Sequence, residues 1–340
     1  MSNELFQNAL KKKAQKVPPV WFMRQAGRYH QHYQKLKEKH TFMELCKVPE
    51  LAAEVALGPV QEFDFDVSIL FSDLLFPLEA LGLGLRYDPG PILDRQLNWQ
   101  NINELKSIEE ALPDLAFQKK AMQLTREVLP KNKSLIGFVG GPWTLFTYAS
   151  LGGHDGNLIL AKTQLSLFEK FCEKLVPLLV QNIQLQLEGG AEVVMIFDTA
   201  AGEVSPHLFT QFIQPQIEKL AKAHPGRLGY YSKSTQNAHI ENLMTQAHWA
   251  GFGVDHRWPL SQLLKSKRQG FLQGNFDQAL LFCEPTDFKK HLEAFLGQFR
   301  ELSLEERAGW VCGLGHGVLP KTPERNVKEF VQFVRKYFDE

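Results

Sequence analysis

The chain has 340 residues, with 38 basic and 38 acidic side chains and a formal net charge of zero. That balance gives no electrostatic push toward nucleic acid or a membrane surface, so an anionic ligand would have to be held by a local cluster of cations. Apolar residues make up 44%, with 25 phenylalanines, which is enough for two average domains or one large aromatic-rich core.

Residues 1–17 read as an N-terminal extension without the apolar centre of a signal peptide, and no apolar run reaches membrane-spanning length. Cys46, Cys172, Cys283 and Cys312 lie far apart with no Cys-x-x-Cys pair. This argues against a zinc ribbon, a dithiol site or a secreted disulfide framework, and the chain reads as cytoplasmic.

The first short β-rich run covers 20–23 and is followed at once by MRQAGRY. Arg24 and Arg28 stand four apart around Gly27. On a helix they would share a face; in a loop, Gly27 would let the backbone approach a ligand. Arginine forks bind carboxylates bidentately, although two surface arginines paired with nearby acids would read the same way. Next come His30 and His32, and an exposed polar stretch is preferred here over a metal pair.

The second run, 67–71, leads to Asp73, which is either a polar group at a strand end or the N-cap of the helix that LLFPLEALG suggests. The third, 135–140, leads to GGPW and then to Trp143 and Tyr148, for which plain packing is the alternative. A helix over 167–187 keeps three- and four-residue apolar spacing and stops at Gly189-Gly190.

The fourth run, 192–197, ends on Asp198 and Thr199. Thr199 could be a cap, and Asp198 a second acid or the partner of a basic residue. Runs at 227–231 and 253–255 are weaker, and the seventh is 270–274. The eighth, 310–313, leads to His316 between two glycines, and Thr322-Pro323-Glu324 opens a last helix.

Eight strand-like runs alternating with helical stretches favour a parallel sheet and a single-domain (β/α)8 TIM barrel over the whole chain, with a doubly wound open sheet as the alternative. Polar and glycine-rich loops follow seven of the eight runs. In a barrel those loops converge on one mouth. No Walker loop, G-x-S-x-G or H-E-x-x-H is present, and GLGHG lacks the remaining dinucleotide signature. The sequence therefore implies neither a metal nor an organic cofactor.

Together, PPVWFMRQAGRYHQHY, FMELCKVPELAAEVALGPVQEFDFDVSILFSDLLFPLEALG, GFVGGPWTLFTYA, IFDTAAGEVSP, FLQGNFD and GLGHGVLPKTPERNV resemble the uroporphyrinogen decarboxylase family, in that family's order from about residue 18 to 330. The resemblance implies a (β/α)8 barrel, a homodimer, no cofactor, and conversion of uroporphyrinogen III to coproporphyrinogen III. It places a substrate-binding stretch on Arg24, Gln25, Ala26, Gly27 and Arg28, and a central aspartate on Asp73. It places a cleft tyrosine on Tyr148, a hydroxyl contact on Thr199 and a C-terminal histidine on His316. Arg24, Arg28, Asp73 and Tyr148 are the expected catalytic residues.

The chain also departs from the family. Thr199-Ala200-Ala201-Gly202 stands where Ser-Trp-Ala-Gly is common, and Asp255-His256 where Asp-Trp is common. The rival readings are a methyltransferase on the same barrel, which would need a His-x-Cys metal site the chain lacks, and a tetrapyrrole carrier without catalysis.

Overall fold

The computed structural model describes residues 2–153 and 157–339. Seven parallel strands form one sheet: β1 (Val67–Ile69), β4 (Ser134–Gly140), β5 (Val194–Asp198), β6 (Leu228–Ser232), β7 (Trp249–Gly253), β8 (Phe271–Phe276) and β9 (Trp310–Leu314), paired in that order. Two short strands, β2 (Arg86–Tyr87) and β3 (Pro91–Ile92), make a separate antiparallel hairpin. The long helices Pro49–Phe63, Ala116–Val128, Leu165–Glu188, Pro285–Arg300 and Glu324–Asp339 alternate with the strands, the arrangement of a (β/α)8 TIM barrel.

The eighth position of the ring is filled by a reduced strand. Val20 makes an isolated parallel bridge to Cys312. The Cys312 amide donates to the Pro19 carbonyl at 2.9 Å and the Trp21 amide to the Cys312 carbonyl at 3.1 Å. Toward β1, the Asp66 amide donates to the Val20 carbonyl at 3.1 Å. The run expected at 20–23 is therefore a bridge between two strands and not a full strand. Pro18 and Pro19 have no N–H to donate, and the chain turns away at Arg24, where φ is +57°. Gln25 supplies what the ladder lacks: its side chain accepts from the Phe22 amide at 3.4 Å and donates to the Val67 carbonyl at 2.9 Å.

The other corrections are smaller. The second strand ends at Ile69, short of residue 71. The sixth run, expected at 253–255, is observed at Trp249–Gly253. Its alanine and glycines hid it, because small residues have weak strand preference. Gly251 is required by packing, since a Cβ there would lie 2.3 Å from the Phe271 ring. The long helix does end at Gly189-Gly190, with Gly190 at φ +110°.

Apolar side chains fill the barrel interior, among them Val67, Ile136, Met195, Phe271 and Val311. A larger apolar layer lies between strands and helices. Part of the stretch read as an N-terminal extension belongs to this core. Helix Glu4–Leu10 sends Phe6 and Ala9 into the barrel interior. Asn3 caps that helix by accepting from the Phe6 amide at 2.9 Å, and its own amide donates to Ser134 Oγ at the start of β4 at 3.0 Å. The bottom of the barrel is thus plugged, and the opposite end is left for ligand chemistry.

His30, expected to be exposed, is fully buried, with Nε2 2.7 Å from Glu62 Oε2. His32 instead meets the Glu54 carbonyl at 3.2 Å, so the two histidines serve separate partners.

Candidate active site

The loops that follow the strands surround a cavity of about 440 Å³, within the roughly 300–1,000 Å³ usual for small-molecule sites. Arg24, Ala26, Gly27, Arg28, Asp73, Tyr148, Thr199 and His316 all line it. They come from the turn after the reduced strand, the segment after β1, helix Pro142–Leu151, the end of β5 and the loop after β9. Gln25 is not among the lining residues, because its amide is committed to Phe22 and Val67. A second hollow of about 660 Å³ lies outside, between helices Pro285–Arg300 and Glu324–Asp339, and holds none of these residues.

Arg24 reaches the cavity from a left-handed backbone conformation, uncommon for a residue with a side chain and costing about 1–2 kcal/mol. Its stem lies against Gly317, where an added Cβ would come within 2.6 Å of Arg24 Cδ. Both arginines are exposed, and among the described residues neither guanidinium forms an ion pair. The surface-pair alternative therefore finds no acid partner.

Asp73 does not cap a helix, since the next one starts only at Phe76. Its Oδ1 accepts from the Leu75 amide at 2.8 Å in a local turn. The residue is partly exposed and lines the cavity. Burial raises its pKa above the usual carboxylate value, partly offset by the Leu75 amide, the Tyr87 hydroxyl and Arg24. Among the described residues, Arg24, Arg28 and Lys37 are the lysines and arginines along the cavity, against the single carboxylate of Asp73.

His316 Nδ1 accepts from the Gly317 amide at 2.6 Å. The ring lies 6.0 Å from that of Tyr231. Tyr231 donates from its hydroxyl to the Gly315 carbonyl at 2.8 Å, tying β6 to the loop after β9.

Trp143 packs against Phe168 at 5.2 Å, edge to face, and is core. Asp198 is neither a cavity acid nor a salt-bridge partner. It is fully buried and accepts from the Thr144 amide at 2.8 Å, the Thr144 hydroxyl at 2.7 Å and the Tyr230 hydroxyl at 3.3 Å. Because Thr144 Oγ1 also accepts from the Ala200 amide at 3.0 Å, this network joins the Tyr148 helix to the Thr199 loop. With neutral donors around it, burial carries the Asp198 pKa up to about 6.

Sequence reasoning missed Tyr33, Lys37, Phe42, Tyr87 and Tyr231, which also line the cavity. Tyr231 had a signal, since it ends the fifth apolar run. The others lie in two helices, Gln31–Lys37 and Phe42–Lys47, and in the hairpin, where no strand-end pattern points to them. Among the described residues no three His, Cys, Asp or Glu side chains converge as a metal-ligand set. No helix among them is long and apolar enough to cross a membrane.

Residues 1–337 match the family described as uroporphyrinogen decarboxylase (URO-D). A relative named uroporphyrinogen decarboxylase from Koribacter versatilis is 33% identical, over 98% of this chain and 96% of its own. Proteins of the same name from Thermus thermophilus, at 30% identity, and Coxiella burnetii, at 33%, are covered to 98% and 96% of their lengths. Among solved structures, a methyltransferase from Methanosarcina mazei superposes with a TM-score of 0.79 over all of both chains, at 19% identity. That last likeness concerns the fold.

Proposed function

The chain belongs to the uroporphyrinogen decarboxylase family, and we propose that its mouth cavity carries out the decarboxylation of uroporphyrinogen III to coproporphyrinogen III in tetrapyrrole and heme biosynthesis. The enzyme is a carboxy-lyase that acts on the four acetate arms. The charge layout of the cavity carries this proposal: one enclosed carboxylate, Asp73, sits among aromatic walls, with Arg24, Arg28 and Lys37 exposed around it. A ring with N–H groups at its centre and carboxylates at its edge has the complementary pattern.

Protonation of a pyrrole carbon makes the ring a cationic electron sink. The C–CO₂ bond then breaks and its electron pair enters the ring; a second proton completes the methyl group, and the proton first added leaves the ring carbon to restore the pyrrole. Asp73 faces the pyrrole N–H groups and stabilises the positive charge before CO₂ leaves. A preorganised charge in a water-poor site is often the largest catalytic contribution. Arg24 and Arg28 hold carboxylate arms with their planar forks, while the backbone of Ala26 and Gly27 runs alongside. Tyr148 and Thr199 hydrogen-bond the reacting acetate, and His316 recognises another arm. Gln25 supports this stretch from beneath, through its bond to β1. The same proposal takes the enzyme as a cytoplasmic homodimer that needs neither metal nor organic cofactor.

The test is anaerobic incubation with chemically reduced uroporphyrin, with products resolved by carboxyl count, before and after treatment with a chelator. The expected products run from the octacarboxylate to the tetracarboxylate in both cases. An untouched octacarboxylate rejects the function. Activity lost to the chelator and restored by zinc would favour a methyltransferase-like site.

A further inference from the structure

The hairpin at the mouth brings one more hydroxyl to Asp73. Tyr87 ends β2 and stands opposite Pro91 of β3. Its ring packs on Phe42, with centroids 4.6 Å apart, and Phe42 packs on Phe71 at 6.1 Å. The ring is therefore held by neighbours. Its hydroxyl oxygen is buried and, among the described residues, makes no hydrogen bond of ordinary length and angle. Such a group costs about 1–3 kcal/mol and calls for an explanation.

Tyr87 and Asp73 both line the mouth cavity, and the groups whose charge acts on the hydroxyl are Asp73, Cys46 and Tyr148. Those around Asp73 are the Leu75 amide, Tyr87, Arg24 and Cys46. Burial pushes the Cys46 thiol upward, so it stays neutral. Arg24 is exposed at the end of a long stem, whereas Tyr87 is a neutral donor fixed by ring packing.

We propose that Tyr87 is a positioning residue for the decarboxylation, whose hydroxyl donates to Asp73 and turns that carboxylate toward the cavity. This rests on the role given to Asp73 above. The Leu75 amide already holds Oδ1, so a second donor from the hairpin stops the carboxylate rotating about its last bond. A hydrogen bond to the charged form also opposes the effect of burial and keeps Asp73 anionic at lower pH.

Tyr87→Phe keeps the ring on Phe42 and removes only the oxygen. Wild type and variant, carrying ¹³C in the aspartate carboxyls, would be titrated by NMR, with the spectrum of Asp73→Asn identifying the Asp73 resonance. The Asp73 midpoint should rise by about half a pH unit or more, the acid limb of kcat/KM should move with it, and Tm should hold. An unchanged midpoint overturns the proposal, as does a fall in Tm without a shift. Normal turnover by Asp73→Asn would instead remove the role of Asp73, and that of Tyr87 with it. An inactive Asp73→Asn beside an unmoved titration in Tyr87→Phe removes Tyr87 alone.

Discussion

At the lower end of β1, Asp66 accepts hydrogen bonds from the Val20 amide at 2.8 Å, the Asn3 side chain at 3.1 Å and Arg335 at 3.3 Å. At the upper end, Asp73 accepts from the Leu75 amide at 2.8 Å and otherwise faces the cavity. Burial raises the pKa of both. Arg335, the Val20 amide and Lys133 pull Asp66 back, and the Leu75 amide, Tyr87 and Arg24 do the same for Asp73. The lower carboxylate spends its lone pairs inside the protein, where they fasten the N-terminal plug and the reduced strand. The upper one keeps acceptor capacity for a ligand. In barrels, polar groups at the bottom serve stability and those at the strand C-termini serve chemistry. One strand of three residues shows both.

The sharpest way to break this contrast is to remove each acid in turn. Asp73→Asn should raise the barrier by about 2.7–4 kcal/mol, by analogy with a lost electrostatic donor, while Tm holds. Asp66→Ala strands the Val20 amide and should lower stability by about 2–3 kcal/mol, leaving turnover per folded molecule unchanged. Denaturation and steady-state kinetics on both variants check the pair. A stable, fully active Asp73→Asn, or an inactive Asp66→Ala of full stability, would erase the distinction.

Asp198 offers a third buried acid, sealed at the mouth end. Its pKa rises from 3.8 to about 6, so the folded chain holds this proton more tightly than the unfolded one. The resulting stability is complete below the unfolded value and is lost as pH rises through the folded value. Asp198→Asn imitates the protonated form. It should gain on wild type between pH 4 and pH 7, by no more than about 3 kcal/mol. Urea midpoints at the two pH values measure the gain, and a gap that does not change with pH would contradict it.

The smallest expected effect concerns the arginines. Lysine keeps the charge but loses the planar fork. Arg24→Lys and Arg28→Lys should each fold normally yet lose at least about tenfold in kcat/KM, about 1.4 kcal/mol. Unchanged kinetics in both variants would leave the mouth without its carboxylate clamp.

Much of the architecture was legible. The runs at 135–140 and 310–313 match β4 and β9 to within a residue, because consecutive apolar residues followed by glycine and polar residues mark a buried strand reaching a loop. The run at 253–255 misplaced β7, since Gly251 is dictated by the bulk of Phe271 and Gly253 by Tyr231 and Gln273 on the neighbouring strands. Asp198 was singled out, but its surroundings are set by Thr144 and Tyr230, which are 54 and 32 residues away. Tyr87 carried no local signal.

By itself, then, the amino-acid order determined the alternation of strands and helices, the polar loops after the strands and the residue types available at the mouth. These follow from periodicity, glycine geometry and side-chain chemistry, which act over a few residues. Only the tertiary structure decided which polar groups are spent and which are kept. Gln25 is consumed by β1, Asp66 by the plug and Asp198 by the Tyr148 helix, while Asp73 and the two arginines retain capacity toward the cavity. Those outcomes depend on partners far away in sequence and on desolvation, which has no value until the chain has closed around each group.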